Sequence, residues 1–292
     1  MLDKPKGLTS VQCLERIKKK LKQPKLGHAG TLDPLATGVL VIGLGQGTKL
    51  TPYLMEGKKI YSGWIRLGMV TDTYDLEGDV LSEHDTGEVD LQQVEREITS
   101  WTELKHHPVP PFSAAKHKGE PHYKMARKGE TPPEKSKPVH IDLAEVLDIQ
   151  FPFIQFRVSC SKGTYIRSLA HSLGTRLGCG AVLAELVREE SHPFTLKQAV
   201  PLQDLLHDPE LFARHVLSLQ EGLPHWPRIY LTSSQAAGVK NGHWLQTDNI
   251  RGLAPAGEGE RALLLTNEEQ PVALAETRYW GDRFYWAILR GL

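Results

Sequence analysis

The sequence has few cysteines, no long apolar run and no net charge, and each of these absences narrows the functions it can serve. Its three cysteines lack zinc-type spacing, which favours reduced thiols over a disulfide framework or a structural zinc site. The longest apolar run, GVLVIGLG, is far shorter than the roughly 20 residues that cross a bilayer. The first residues, MLDKPKG, hold no apolar signal-peptide segment. We therefore expect a cytoplasmic protein with no membrane association.

Length and composition are those of an ordinary globular protein. The chain has 292 residues, of which 40% are apolar and 24% are charged. These fractions exclude the disordered and fibrous classes. The length exceeds that of one compact domain, so we expect two domains.

Basic residues are unevenly distributed, although Lys and Arg together number 35, as do Asp and Glu. Residues 16–25, RIKKKLKQPK, hold several basic residues and no acid. Residues 104–140 hold eight Lys or Arg against three Glu, together with five His. Solvated surface lysines explain either segment taken alone. Two such segments beside one glycine-rich loop, residues 27–38, favour a polyanionic partner.

Hydrophobic periodicity predicts mixed helices and strands. Thr9 and Ser10 begin a basic amphipathic helix that runs to Leu21. Gly178 ends a helix that starts in TYIRS, and strand-like alternation follows Lys59. The other predicted elements are a buried strand at 38–45, a short helix at 49–56, an acid-rich turn at 71–80, a helix at 88–99, a hairpin around residue 152 and a helix at 181–190.

Two regions differ in composition and residue pattern from the rest of the chain. Residues 105–140 are dense in proline, lysine and histidine, which predicts a projecting insertion. After residue 225, short strand-like segments alternate with glycine and Asn-Gly turns, which predicts a small all-β module. We therefore place the domains at 1–224 and 225–292.

Several common catalytic patterns are missing. GLGQGTK lacks the glycine spacing and the Gly-Lys-Ser/Thr order of a phosphate-binding loop. The histidines of residues 105–140 show no i, i+4 pair on a predicted helix and no cysteine partners, so a metal site is not expected. No G-x-S-x-G motif occurs, and no cysteine has a histidine placed to activate it.

Asp33 stands out in the segment GHAGTLDPLATG. An Asp before Pro is a common turn starter whose carboxylate accepts hydrogen bonds from nearby amides, and composition alone favours this interpretation. The alternative is functional. Gly27, Gly30 and Gly38 would let the backbone take positive φ or approach a ligand, presenting one carboxylate at the mouth of a basic cleft. Spacing alone does not decide between the two.

Six segments resemble, in order, the TruB family of tRNA pseudouridine-55 synthases. They are LDKPKGLTS, GHAGTLDPLATGVL, GQGTK, RLGMVTDTYDLEGDV, PPFSAAKHKGEPHYKMARKGE and SKGTYIRSLAHSLG. The resemblance spans roughly residues 2–195. It implies isomerisation of a uridine in the T loop of tRNA to pseudouridine. No metal or other cofactor is implied, because the reaction exchanges no atoms or electrons with one.

The resemblance also implies an architecture and a partner. It predicts an α+β catalytic domain with a mixed, mostly antiparallel sheet flanked by helices, with a thumb insertion at about 105–140. A small all-β, PUA-like RNA-binding domain would follow at 225–292. The expected partner is the T arm and T loop of tRNA, bound by a monomer that needs no other protein.

By matching positions, the resemblance assigns three catalytic residues. Asp33 is the nucleophile, Arg167 pairs with it, and Tyr61 stacks on the target base and takes part in proton transfer. An always-charged guanidinium would keep the carboxylate ionised. Without the resemblance, Arg167 is a typical salt-bridge residue and Tyr61 a typical core aromatic of a strand.

The resemblance assigns further residues to binding. His28 fills the space left by the flipped uridine, Tyr165 and Leu186 line the uracil pocket, and Asp75 joins the polar network around Tyr61 and Arg167. A turn aspartate is the simpler interpretation of Asp75. The side chains assigned to the RNA backbone are Lys49, Lys116, Lys118, Lys124 and Arg127.

Departures and alternatives remain. After Leu186 the chain has Val187 and His192 where the family commonly has an arginine pair and an SGPF-like ending, which leaves that loop less certain. Attack at ribose C1′, attack at uracil C6 and a glycal route from C2′ all stay open. The competing functions are a tRNA-binding protein without catalysis and an RNA-guided enzyme of the dyskerin branch. Intact Asp33, Tyr61 and Arg167 argue against the first, and the complete thumb segment argues against the second.

Overall fold

The structure is a computed structural model that describes residues 1–87, 89–249 and 257–292. The helices are α1 Ser10–Leu21, α2 Thr51–Leu54, α3 Leu91–Thr99, α4 His122–Arg127, α5 Ile166–Leu177, α6 Leu202–His207, α7 Pro209–Arg214 and α8 Ser233–Lys240. The 3-10 turns are Gly45–Lys49, Ser100–Glu103, Leu196–Gln198 and Thr247–Asn249.

The strands divide between the region before residue 202 and the last 65 residues. The first group is β1 Leu2–Lys4, β2 Leu26–His28, β3 Thr37–Leu40, β4 Ile42–Leu44, β5 Lys59–Leu67, β6 Met69–Thr71, β7 Val80–Glu83, β8 His106–Pro108, β9 Lys116–His117, β10 Glu120–Pro121, β11 Ser136–Pro138, β12 Ile141–Gln150, β13 Phe153–Cys160, β14 Ala181–Ser191, β15 Phe194–Thr195 and β16 Val200–Pro201. The second group is β17 Arg228–Leu231, β18 Leu245–Gln246, β19 Arg261–Thr266, β20 Pro271–Trp280 and β21 Arg283–Gly291.

An eight-stranded mixed sheet organises the larger part of the chain. Its order is β12-β13-β5-β14-β3-β1-β16, with β15 paired to β14. The pairs β14–β3 and β1–β16 are parallel and the others are antiparallel. The helices α1, α3 and α5 pack on one face, where Ile17, Val94 and Leu169 join a core that includes Ile65 and Phe156. The α+β prediction is confirmed.

Local signals placed several elements correctly. Thr9 and Gln12 form the capping box of α1, and Gly178 ends α5 in the left-handed conformation. The hairpin around residue 152 is β12–β13. The helix predicted at 88–99 is α3, although residue 88 lies outside the described residues.

Two predictions were wrong. Residues 181–190 form strand β14 instead of a helix. Their Ala, Leu, Glu and Arg favour helix locally, but pairing with β5 on one side and β3 on the other overrides that propensity. Residues 38–45 form two strands, β3 and β4, which lie in different sheets on either side of Val41.

The segment 105–140 has more internal order than its composition suggested. Its ends, β8 and β11, pair with each other, and β9 pairs with β10 ahead of α4. His107, Ala115 and His122 are buried. Residues 105–140 are called the thumb below, and β8 with β11 is called its root.

The last strands form a five-stranded sheet in the order β17-β19-β20-β21-β18, with α8 beside it. This agrees with the predicted PUA-like β module, although residues 250–256 of it lie outside the described residues. Leu263 and Leu274 of this sheet pack in one apolar cluster with Val39 and Leu223. A division of the chain near residue 224 therefore stays a prediction. No helix among the described residues is long and apolar enough to cross a membrane.

Candidate active site

Asp33 lies at the start of a turn between β2 and β3, where the amide of Ala36 donates to the Asp33 carbonyl at 3.1 Å. Its carboxylate accepts from Arg167 Nε at 2.9 Å, a residue 134 positions later, instead of capping its own turn. The Asp33 side chain is 39% exposed and the Arg167 side chain 6%. One carboxylate oxygen of Asp33 is thus held by a buried guanidinium, while the rest of the carboxylate stays accessible to solvent.

Two of the three loop glycines adopt the conformation expected of them. Gly30 and Gly38 both have φ of +98°. A Cβ on Gly38 would overlap the backbone of Arg188 in the neighbouring strand. Gly27 lies in strand β2 without positive φ, and close approach of a ligand to this position stays a prediction.

The Arg167 guanidinium joins three separate segments. It extends from the first turn of α5, donating through Nε to Asp33, through Nη1 to the Thr73 carbonyl at 2.8 Å and through Nη2 to the Phe112 carbonyl at 2.9 Å. Asp75 Oδ2 lies 3.6 Å from the same Nε. Because every nitrogen has a partner, the planar group is fixed in orientation.

Asp75 belongs to the acid-rich turn between β6 and β7. Its side chain is 6% exposed, accepts from the Thr73 hydroxyl at 2.6 Å and from the Glu77 amide at 3.1 Å. Burial raises the pKa of Asp75, and the bond from Thr73 and the charge of Arg167 oppose that rise. Asp75 therefore lies beside Arg167, and its predicted part in a network with Tyr61 and Arg167 stays a prediction.

Tyr61 lies on β5, packs against the core and sits opposite Arg188 of β14 in register. Burial raises the pKa of the Tyr61 phenol, and the Arg188 guanidinium opposes the rise. Leu186, two residues before Arg188, is buried on the same strand. Tyr61 and Leu186 therefore lie on the paired strands β5 and β14.

Arg188 is a residue that sequence reasoning missed. It is 1% exposed, and its guanidinium donates to the Val39 carbonyl at 2.7 Å and the Gly30 carbonyl at 3.1 Å. It thereby ties both ends of the Asp33 loop to β14. Its only sequence signal was a position two residues after Leu186, the i, i+2 spacing of one strand face, which the helix prediction concealed.

Lys4 is a second missed residue. It is fully buried, and its ammonium donates to the carbonyls of Pro5 at 2.8 Å and Leu8 at 2.5 Å, with Pro34 at 3.4 Å. Burial lowers the pKa of Lys4, and the negative charge of Asp33 is among the causes that oppose this. A second buried cation therefore stands near the carboxylate.

The other predicted binding residues lie around this centre. Tyr165 directly precedes α5, and its amide donates to His107 Nε2 at 2.9 Å. His28 lies at the end of β2 before the Asp33 loop, with a buried Nδ1 that has no hydrogen-bond partner among the described residues. Burial lowers the pKa of His28 and the charge of Arg188 lowers it further, which favours a neutral imidazole.

The predicted RNA-backbone residues divide between two places. Lys116, Lys118, Lys124 and Arg127 all belong to the thumb, in or beside β9 and α4. Lys49 does not join them, because its ammonium donates to the carbonyl of Gly291 at 2.8 Å in the last strand. An apolar cavity lined by Leu2, Leu50 and Leu219, among others, does not include Asp33.

The arrangement supplies one accessible carboxylate, a fixed guanidinium and, on the neighbouring strand β5, a phenol. The bond from Arg167 Nε holds one oxygen of this carboxylate, a group that can act as a nucleophile. No group of three or more His, Cys, Asp or Glu within the described ranges could hold a metal ion. Covalent or acid–base chemistry on a bound nucleoside fits these groups.

Comparisons with known proteins identify the family of the chain. Residues 18–166 match the TruB family pseudouridylate synthase N-terminal domain, and residues 167–223 match the tRNA pseudouridylate synthase B C-terminal domain. A tRNA pseudouridine synthase B of Oleidesulfovibrio alaskensis is 52% identical over 295 residues, covering 100% of this chain and 95% of that protein. The corresponding protein of Geobacter sulfurreducens is 41% identical over 244 residues, covering 83% and 80%.

Solved structures extend the comparison to the fold. The chain superposes on one from the crystal structure of a Cbf5-Nop10-Gar1 complex with a TM-score of 0.75 and 26% identity, covering 100% of this chain and 83% of that one. Fold and site together define a pseudouridine synthase, an isomerase that acts on uridine. Within that class, the chain belongs to the TruB family of pseudouridylate synthases.

Proposed function

We propose that this enzyme converts uridine 55 in the T loop of tRNA to pseudouridine, with Asp33 as the nucleophile. The observation that carries the proposal is the Asp33 carboxylate, part exposed and held at 2.9 Å by the buried guanidinium of Arg167. The names of the 52% and 49% identical relatives support tRNA as the substrate.

The reaction rearranges one nucleoside without a co-substrate. The N1–C1′ bond breaks, the uracil turns, C5 bonds to C1′, and the C5 proton then leaves to solvent. Asp33 can hold the intermediate through ribose C1′ or uracil C6, or can start a glycal route by taking the C2′ proton. The geometry of Asp33 and Arg167 is compatible with all three routes.

Tyr61, Tyr165 and Leu186 are proposed to form the pocket for the flipped base. Extrusion of the uridine costs unstacking energy, which an aromatic ring stacked on the base offsets. Tyr61 would make that contact and take part in proton transfer. Burial lowers the pKa of His28, which favours its neutral ring. We propose that this ring fills the space that the flipped uridine leaves in the RNA loop.

The thumb and the C-terminal sheet are proposed to hold the RNA outside the pocket. Lysines and arginines on phosphates give affinity that depends on salt and does not read sequence. We place the catalytic domain at 1–224 and the PUA-like RNA-binding domain at 225–292. We further propose that the enzyme is a cytoplasmic monomer that needs no cofactor.

A partner-dependent enzyme is the second candidate, because the solved neighbours include Cbf5 complexes with Nop10 and Gar1. The thumb favours the stand-alone enzyme, since it brings four basic side chains and the Phe112 contact to Arg167 within one chain. No feature favours a binding protein without catalysis, which needs neither Arg167 nor its bond to Asp33.

The position of the product tests the proposal. The purified chain alone is incubated with a tRNA transcript, and pseudouridine is located by carbodiimide labelling and primer extension. We expect one strong stop, caused by pseudouridine at position 55, and no stop with a transcript that carries cytidine there. Modification elsewhere, or only after proteins or guide RNA are added, would contradict the proposal.

A further inference from the structure

The thumb is connected to the active site by three contacts, two from its root and one from Phe112, that the proposed reaction does not itself require. The root is β8 paired with β11, where His107 faces Lys137 in register. Two contacts involve Tyr165, the residue before α5, and one involves Arg167 in its first turn. Any displacement of the thumb therefore acts on the start of the helix that carries the catalytic arginine.

His107 makes the most specific of these contacts. It is 2% exposed, and its Nε2 accepts from the Tyr165 amide at 2.9 Å. An acceptor at Nε2 requires the proton to be on Nδ1, which faces the Lys137 carbonyl at 3.4 Å. The imidazole thus connects both root strands to the backbone of Tyr165.

The other two contacts lie beside it. The Lys137 ammonium stands over the Tyr165 ring, 5.3 Å from its centroid. Arg167 Nη2 donates to the carbonyl of Phe112 in the thumb at 2.9 Å, while Nε of the same guanidinium holds Asp33. Because the guanidinium is planar and rigid, a shift of Phe112 rotates the group that positions Asp33.

We propose that His107 is a positioning residue that couples thumb placement on RNA to the alignment of Tyr165 and Arg167 with Asp33. The proposal rests on the proposed function, since the thumb is taken to close on tRNA. Binding energy from phosphates far from the uridine would then be used to set catalytic geometry, which affects the rate at saturation more than affinity.

The surroundings of His107 favour its neutral form. Burial lowers its pKa below the ordinary 6.5, the bond to the Lys137 carbonyl opposes this, and the charge of Lys137 lowers the pKa further. From α5, Arg176 shares a cavity with His107 and is paired with Glu97 of α3 at 3.0 Å. Tyr165 faces the imidazole with its amide and its ring. Protonation would turn the Nε2 acceptor into a donor and break the Tyr165 bond.

Three variants isolate the contact. His107→Leu removes the acceptor, and His107→Gln replaces Nε2 with an amide oxygen that does not titrate. His106→Leu is the matched control, because His106 is the exposed neighbour on the same strand. For each, the single-turnover rate with saturating tRNA transcript, the Kd for that transcript and the urea unfolding curve are measured.

We expect His107→Leu to lower the saturated rate about tenfold, the value of one hydrogen bond, with Kd changed less than about threefold. His107→Gln restores the rate. As the pH falls through the lowered pKa of His107, the unmutated enzyme loses rate relative to His107→Gln, because glutamine at this position takes up no proton. Equal rates in all variants, or a loss entirely in Kd, would overturn the proposal.

Hydrogen exchange of the Tyr165 amide separates this proposal from the proposed function. In the free protein, His107→Leu is expected to speed exchange in the peptide containing Tyr165, whereas His107→Gln and His106→Leu leave it unchanged. If the unmutated protein makes no pseudouridine, the proposed function is wrong, whatever the exchange shows. If the unmutated protein is active but His107→Leu leaves the exchange rate of the Tyr165 amide unchanged, the proposed coupling through His107 is wrong.

Discussion

Substitution of Gly38 tests how tightly the Asp33 loop is held against β14. Gly38 has φ of +98°, where a side chain costs about 1–2 kcal/mol. An alanine Cβ would also stand 2.8 Å from the Arg188 nitrogen and 2.9 Å from its carbonyl carbon. These are backbone atoms of a paired strand, so the strands must separate, at a further cost of about 1–3 kcal/mol. Gly38→Ala should thus lower the free energy of unfolding by about 2–5 kcal/mol.

Gly178→Ala is the matched control for this prediction. Gly178 also has positive φ, +77°, but nothing lies within 4 Å of its ideal Cβ. It should therefore lose only the conformational part, about 1–2 kcal/mol. Urea unfolding of both variants measures the difference. Equal losses, or a loss below about 1 kcal/mol at Gly38, would refute the close packing of the loop on Arg188.

Three other expectations concern charge. Lys118→Ala and Lys124→Ala should weaken tRNA binding and each reduce the slope of log Kd against log salt by about one. Lys128→Ala should have a smaller effect, because the Lys128 ammonium is already paired with Glu120 at 2.6 Å. Equal slopes for all three variants would contradict this expectation. Burial lowers the pKa of Lys59 to about 8, so the contribution of Lys59 to the free energy of unfolding rises with pH between about 8 and its unfolded-state pKa near 10.5. Urea unfolding of Lys59→Met should therefore show a stability that depends less on pH in this range. An unchanged pH dependence would contradict the lowered pKa. Arg188→Lys should lower kcat at least tenfold with a smaller change in KM. The reason is that one ammonium cannot reproduce the guanidinium bonds to the carbonyls of Gly30 and Val39. An unchanged kcat would rule out positioning by Arg188.

Local signals were sufficient where an element is determined by its own residues. Thr9 and Ser10 marked the start of α1 and Gly178 the end of α5, because caps and left-handed termini act within a few residues. The hairpin of β12 and β13 followed from strand composition on both sides of a turn. In each case the structure adds partners without changing the element.

Long-range pairing decided what sequence reasoning missed. Residues 181–190 have helix-forming composition, and only their pairing between β5 and β3 makes them a strand. That error concealed Arg188, whose partners lie about 150 positions away in the loop. The prediction for Asp33 and Arg167 depended on family resemblance, because residues 134 positions apart carry no local signal of contact.

His107 shows the same limit within a segment predicted to be an insertion. Its composition indicated a solvated or RNA-facing loop, whereas the fold buries this histidine beneath Tyr165. No periodicity distinguishes it from the exposed His106 next to it. Which of two adjacent histidines connects the thumb to the active site is decided by strand register, and register is set across β8 and β11.

The most direct test of the account is release of tritium from C5-labelled uridine in a tRNA transcript, with no metal added. The unmutated enzyme should release the label from one site per molecule. Asp33→Asn should still bind the transcript and release none, because the amide has no nucleophilic charge. Tritium release by Asp33→Asn at the unmutated rate would contradict the assignment of Asp33 as the nucleophile.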